Sequence, residues 1–209
     1  MKTSVIIPVK SFQKSKTRLQ LSDNKTIALC RLFLEEVIKT VSESGVIDKI
    51  IVVTNEEQIS DIIEKYDCMK IQDINEKNVN DAVGLPEKYL IENEFTHSII
   101  LPLDVPFFNA DDLKNLLEFT KEKSVIVVPS RHFDGTNALL RTPINSMKPR
   151  YDEGSYSFQI ESARKFEIKI SIGLIYRFML DIDNTEDLDF VIKQNIKPEF
   201  CEQIKKIIQ

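Results

Sequence analysis

The sequence predicts a single α/β domain over residues 1–209, with a mostly parallel central sheet and helices on both faces. Three observations predict it. Short β-branched runs recur at Val5–Ile7, Lys49–Val53, Ser98–Leu103 and Val125–Val128, and they read as buried strands. Amphipathic helical stretches lie between them. The 209 residues, 42% hydrophobic and 29% charged, suit one large domain whose core forms without disulfides.

The elements follow in order. After the first run, Ala28-Leu29, Leu32-Phe33 and Val37 recur at helical spacing and predict a helix from Ile27 to Val41, with Gly45 as its stop. Thr54-Asn55 would cap a helix from Glu56 to Tyr66. Asn109-Ala-Asp-Asp opens a helix to about Lys121, with its acids at the positive end. Ala138–Arg141 and Ile168–Leu174 read as strands, with a helix over Ser155–Arg164 between them. Tyr176–Ile182 reads as one more strand, and Thr185–Gln194 and Phe200–Ile208 as closing helices. No repeat, low-complexity tract or linker divides the chain. Right-handed crossovers bring the strand C-terminal ends to one edge, where ligands bind in open α/β sheets. Residues with chemistry should therefore follow the strands.

Charge and composition narrow the function. A net charge of -5 argues against a nucleic-acid partner. The apolar run near the N-terminus is too short for a signal, and no window of eighteen apolar residues exists, so a cytoplasmic protein with no membrane partner is expected. Cys30, Cys68 and Cys201 show no CxxC spacing, and His97 and His132 are the only histidines, so neither disulfides nor zinc is indicated.

Four segments could carry chemistry. After the first strand, Pro8-Val9-Lys10 leads into a loop with Lys10, Lys14, Lys16 and Arg18. A triphosphate needs such neutralising donors, although a solvated charged loop is an equal reading. There is no GxxxxGK[ST] and no GxGxxG, so any phosphate grip rests on side chains. After the third strand, Asp104 stands between Pro102 and Pro106, as a magnesium ligand or as a turn aspartate. After the fourth, Asp134-Gly135 marks a turn that also suits an ordinary hairpin, and Thr136 and Asn137 enter the next strand. Near the C-terminus, alternation puts Asp181 and Asp183 on one face of a strand, where they repel unless a cation or base sits between them. Thr185 could cap the helix that follows. The segment DIDNT also resembles the DxDx[TV] motif of haloacid-dehalogenase-like phosphatases. The residues after Thr185 are too few for the rest of that machinery.

Several stretches together resemble the 2-phospho-L-lactate guanylyltransferase family of deazaflavin coenzyme F-420 biosynthesis. They are VIIPVKSFQKSKTRL, LPLDVPFF, VVPSRHFDGTNALL, the segment Tyr151-Asp-Glu-Gly-Ser-Tyr-Ser-Phe-Gln159, LDIDNTEDL, and Asn80-Asp81-Ala82. The resemblance implies a Rossmann-like nucleotidyltransferase fold. It also implies transfer of GMP from GTP to 2-phospholactate with release of pyrophosphate; some members use phosphoenolpyruvate or 3-phosphoglycerate. By resemblance, magnesium would be held by Asp104 and Asp183 with Asp181 as a helper. Lys16 and Arg18 would meet the triphosphate and, with Asp104, form the catalytic set. Pro8, Lys10 and Asn80 would contact the nucleotide. Thr136, Asn137, Ser155 and the backbone near Asp152 would hold the phosphorylated acid. Asp152 stands where the family often has Gly, and Gln159 where it often has His. A carboxylate beside a trianionic acceptor is unfavourable unless it faces away or binds a cation. Two alternatives stay open: another acceptor, such as a molybdopterin, and a nucleotide-binding paralogue without catalysis. A homodimer is also left open.

Overall fold

The computed structural model describes residues 2–12, 16–73 and 78–209, so Lys14 of the basic loop lies outside the described residues. The first half of the chain folds as β1 (Thr3–Pro8), α1 (Asp23–Glu43), β2 (Lys49–Val53), α2 (Ser60–Lys65), β3 (Met69–Ile71), α3 (Val79–Gly84), α4 (Glu87–Glu92) and β4 (His97–Ile100). The second half adds α5 (Ala110–Glu118), β5 (Ser124–Pro129), β6 (Thr136–Thr142), α6 (Ser155–Lys165), β7 (Lys169–Ile172), α7 (Thr185–Gln194) and α8 (Pro198–Ile208).

One sheet of seven strands runs in the order β3-β2-β1-β4-β6-β5-β7. Every pairing is parallel except those of β6, which runs antiparallel to β4 and β5. The reversal comes from the tight turn at Asp134-Gly135. There the Ser130 amide donates to the Gly135 carbonyl at 3.0 Å, and the Ser130 hydroxyl donates to Asp134 at 2.6 Å. Because β6 is reversed, its first residues stand on the same edge as the C-terminal ends of its neighbours. Thr136 and Asn137 are thereby brought beside the ends of β1 and β4.

Strand alternation builds two cores. Val5, Ile7, Val52, Ile99 and Leu140 face α1, α5, α7 and α8. Ile6, Ile51, Ile100, Val125 and Leu139 face α3, α4 and α6. Both faces are covered, so the central strands read as continuous apolar runs. Phe200 locks α8 in place by meeting Phe33 and Phe107 at ring distances of 6.2 and 5.5 Å. Each such buried ring contributes about 1.5–3 kcal/mol relative to exposure.

Several boundaries differ from the sequence expectation. Tyr176–Ile182 is not a strand: Tyr176–Met179 forms a 3-10 turn and an extended loop follows. Alternation misled because Phe178, Leu180 and Ile182 are all fully buried while the segment pairs with none of the sheet's seven strands. Asp181 and Asp183 thus do not share the face of a strand. The helix expected from Glu56 begins only at Ser60, and neither Thr54 nor Asn55 caps it. Thr54 instead accepts from the Glu56 amide at 2.9 Å, which closes a turn. Asn184, not Thr185, caps α7 in a capping box with Asp187, as Asn109 and Asp112 do for α5. The helix expected over Ile27–Val41 extends to Asp23–Glu43, and Gly45 follows it at φ +69°, the left-handed stop that suits glycine. β3, α3 and α4 were not anticipated; at three to six residues each they are too short to show a period. Among the described residues no helix is long and apolar enough to cross a membrane.

Candidate active site at the strand C-terminal edge

A cleft of about 430 Å³ opens on the edge where the strands end, a size within the usual range of ligand sites. Pro8, Lys10, Lys16 and Arg18 line it from β1 and the loop beyond. Ile100, Pro102, Leu103 and Asp104 line it from the end of β4. Gly135 comes from the β5–β6 turn, Thr136 and Asn137 from the start of β6, Tyr151 from the loop before α6, Ser155 from the first residue of α6, and Asp181 and Asp183 from the loop before α7. Val79 of α3 closes the far wall.

The acid-bearing loops are fixed by backbone bonds. The Leu101 amide donates to the Ile6 carbonyl at 3.0 Å, which carries the chain past β4 alongside β1. The Ile182 amide donates to the Asp104 carbonyl at 3.0 Å and ties the two aspartate loops together. Asp187 is buried beneath them. Its carboxylate accepts from the Asp183 and Asn184 amides at 3.0 and 3.1 Å and also pairs with Arg131. Asn137 donates to the Phe178 carbonyl at 3.0 Å and to Asp181 at 3.1 Å.

Lys16 reaches into this cluster. Its Nζ lies 2.5 Å from Asp104 Oδ2 and 2.6 Å from Asp183 Oδ1. Burial alone would lower the pKa of this ammonium, but the two carboxylates reverse that and hold it above its ordinary value. A cation or base was expected between Asp181 and Asp183; Lys16 instead bridges Asp104 and Asp183, and Asp181 is met by Asn137. Lys10 and Arg18 have no hydrogen bond or ion pair among the described residues. The nearby Cys30 thiol is buried and pushed up to about 11 by that burial, which leaves it inert.

Asp181 is the strained member. Burial, then the charge of Asp104, raise its carboxyl from 3.8 to about 6, against the Asn137 bond, which lowers it. The folded chain thus holds this proton up to about pH 6, whereas the unfolded chain releases it near 3.8. Wild-type stability consequently falls as pH rises through that window, and the penalty is complete above it. Asp181→Asn removes the charge and keeps an acceptor for Asn137. We expect this variant to be about 1–2 kcal/mol more stable at pH 7.5, with the difference vanishing toward pH 4. Urea unfolding of both proteins at the two pH values checks this. A variant less stable at pH 7.5 contradicts it.

On the opposite wall, the Ser155 hydroxyl donates to the Thr136 hydroxyl at 3.1 Å. Ser155 opens α6, whose N-cap Gly154 sits at φ +76°, a conformation a side chain would strain. The positive end of α6 therefore faces the cleft beside two hydroxyls, an arrangement suited to an anion.

Asn80 and Asp152 do not line the cleft. Asn80 accepts from the Tyr151 amide at 2.5 Å and donates to Asp152 at 3.3 Å. Asp152 also pairs with Arg150 at 2.8 Å, so its charge is met at the rim by a cation. Gln159 is fully buried and clamps the Arg150 backbone, accepting from its amide at 3.2 Å and donating to its carbonyl at 2.9 Å. Sequence reasoning missed Asp187 and Arg131 as supports and Val79, Ile100, Leu103 and Tyr151 as walls. Asp187 carried a signal, because an acid three residues beyond Asn184 is the capping-box spacing. The apolar walls carried none.

Among the described residues no three carboxylate, thiol or imidazole side chains form a group that could enclose a metal by themselves. That does not exclude magnesium, which is commonly held by one or two carboxylates together with substrate phosphates. Asp104 and Asp183 present hard oxygen donors that already converge on one cation, the Lys16 ammonium. These residues fit a hard divalent ion.

The profile of the family described as guanylyl transferase CofC like matches residues 3–207. A phosphoenolpyruvate guanylyltransferase of Conexibacter woesei is 31% identical, covering 90% of this chain and 86% of its own length. A 2-phospho-L-lactate guanylyltransferase of Methanothermobacter thermautotrophicus is 27% identical over 99% and 92%. A 3-phospho-D-glycerate guanylyltransferase of Colwellia psychrerythraea is 29% identical over 91% of each. Among solved structures, a nucleotidyl transferase from Methanothermobacter thermautotrophicus superposes with a TM-score of 0.67 at 12% identity, covering 96% of this chain and 98% of its own; this likeness speaks to the fold.

Proposed function

The chain belongs to the guanylyl transferase CofC-like family, and from that premise we propose that its cleft joins the guanylyl group of GTP to a small acid carrying both a phosphate and a carboxylate. It is a guanylyltransferase. The three relatives are named for phosphoenolpyruvate, 2-phospho-L-lactate and 3-phospho-D-glycerate, which share that pair of anionic groups. Such a transfer belongs to coenzyme F-420 biosynthesis.

One observation carries the mechanism: three cations, Lys10, Lys16 and Arg18, and three acids, Asp104, Asp181 and Asp183, line the same cleft. Their charges cancel, so the chain alone cannot neutralise two polyanionic substrates. Asp104 and Asp183, with Asp181 beside them, would hold magnesium, which when bound offsets the repulsion between phosphates. Lys16 and Arg18 stabilise the charge that builds on the leaving pyrophosphate. Pro8 and Lys10 lie on the nucleotide side, with Asn80 bracing that rim through Tyr151. Thr136, Ser155 and the α6 N-terminus receive the acceptor's anions, and Asn137 orients Asp181. The acceptor phosphate is already an anionic nucleophile near neutral pH, so no general base is needed. The positioned oxygen attacks the α-phosphorus in line, and the bond to the β-phosphate oxygen breaks. Asp152 supports the acceptor loop from the rim, where Arg150 cancels its charge.

The test is a panel of the three acids against GTP, ATP, CTP and UTP with magnesium, following pyrophosphate. GTP with at least one acid should release it, and the other nucleotides should do so at least about tenfold more slowly. Thermal stabilisation by GTP with no release from any acid would favour a non-catalytic binding protein. Release with a molybdopterin alone would move the acceptor.

A further inference from the structure

Lys16 is assigned two places that one ammonium cannot hold at once. As a triphosphate contact it faces the nucleotide. In the structure its Nζ is bound to Asp104 at 2.5 Å and Asp183 at 2.6 Å. Those are the carboxylates that would hold a divalent ion, and an ammonium and a dication cannot share the same space between them.

We propose that Lys16 is the resident cation of this carboxylate pair, which neutralises Asp104 and Asp183 in the metal-free protein and must leave when a divalent ion enters. The inference rests on the magnesium reading above and adds to it a competition between two cations.

Three features support it. Lys16 is the sole cleft cation drawn inward among the described residues, because Lys10 and Arg18 remain without partners. Its backbone sits at φ +55°, a left-handed conformation that a side-chain-bearing residue rarely adopts. Such a conformation persists where surrounding bonds hold it, and the two inward bonds are among these. A lysine also suits a temporary post, since its charge is compact and rides on a flexible stem. Nucleotide binding would then assist metal binding, because phosphate oxygens give the displaced ammonium a new partner. By linkage the assistance is mutual.

The test uses the full chain, manganese as the probe, and free Mn²⁺ read by electron paramagnetic resonance without nucleotide. Lys16→Met should bind Mn²⁺ about tenfold more tightly than wild type, as two charge-assisted hydrogen bonds no longer compete. Arg18→Met should stay within about twofold, since an exposed unpaired charge acts only through screened field. Equal or weaker binding by Lys16→Met overturns the competition and leaves the magnesium reading standing. No binding by either protein overturns both. Lys16→Met leaves the acids without a counter-charge, so a second measurement uses the unaltered chain. Acetylation of Lys16 by a succinimidyl ester, followed by mass spectrometry, should accelerate several-fold when Mg²⁺ alone is added. An unchanged rate overturns the proposal.

Discussion

Asp104→Asn is expected to lower kcat/KM by about 10³-fold or more while leaving the fold intact, the scale at which a lost electrostatic contact to developing charge acts. The side chain keeps its size and its turn. Its backbone carbonyl still accepts from the Ile182 amide, so the coupling between the two loops survives. Lys16 keeps Asp183 as a partner, and the thermal midpoint should move by only a few degrees. One neighbouring charge also disappears from Asp181, so that carboxyl should fall back toward the ordinary carboxylate range. Steady-state kinetics with a circular-dichroism melt separate the effects. A fully active variant removes Asp104 from the chemistry.

Asp187→Ala should be the most damaging change outside the cleft. It strips the acceptor from the Asp183 and Asn184 amides, leaves Arg131 without its buried partner, and opens the α7 capping box. Breaking one side of a buried pair costs about 3–5 kcal/mol, here a drop in melting midpoint of about 10 °C. The residue positions Asp183 and does not touch substrate. A shifted Asp183 should lower kcat more than it raises KM. Asp187→Asn, which retains an acceptor oxygen, should recover part of both stability and kcat. If kcat is unchanged in folded Asp187→Ala, the support does not reach the site.

The parts of the fold legible in the sequence were those with a long or strongly apolar signal. Buried strands such as Lys49–Val53 announce themselves because both faces of the sheet are covered. The reversal of β6 was legible in the Asp134-Gly135 turn, which reads as a hairpin, and not in the run Ala138–Arg141 itself. The hairpin reading of that turn and its place at the cleft proved compatible: the reversal is what delivers Thr136 and Asn137 to the edge. Tyr176–Ile182 failed for a definite reason. Its alternation reflects side chains fitted into an existing core, Phe178 stacking on Phe108 at 4.5 Å, while its backbone forms no ladder with a strand: the Ile182 amide and the Met179 carbonyl bond to loops.

The candidate site was legible to the extent that its residues follow strands. Of the residues given a catalytic, metal, nucleotide or acceptor role, all but Asn80 and Asp152 line one cleft. Those two sit at the rim, where Arg150 meets the charge of Asp152; no sequence pattern shows which way such a side chain turns. The Lys16 bridge was also beyond the sequence, because it joins residues 88 and 167 positions away. Only the folded edge brings them within hydrogen-bonding distance.

The central claim is that the α-phosphorus of GTP is transferred to the acceptor. Parallel reactions with α-labelled and γ-labelled GTP, together with magnesium and the acid that the panel selects, test it directly. The α-label should appear in the acceptor product, and the γ-label should leave entirely as pyrophosphate. A γ-label found on the acceptor or as inorganic phosphate, with the α-label retained in GDP, would contradict guanylyl transfer by this cleft.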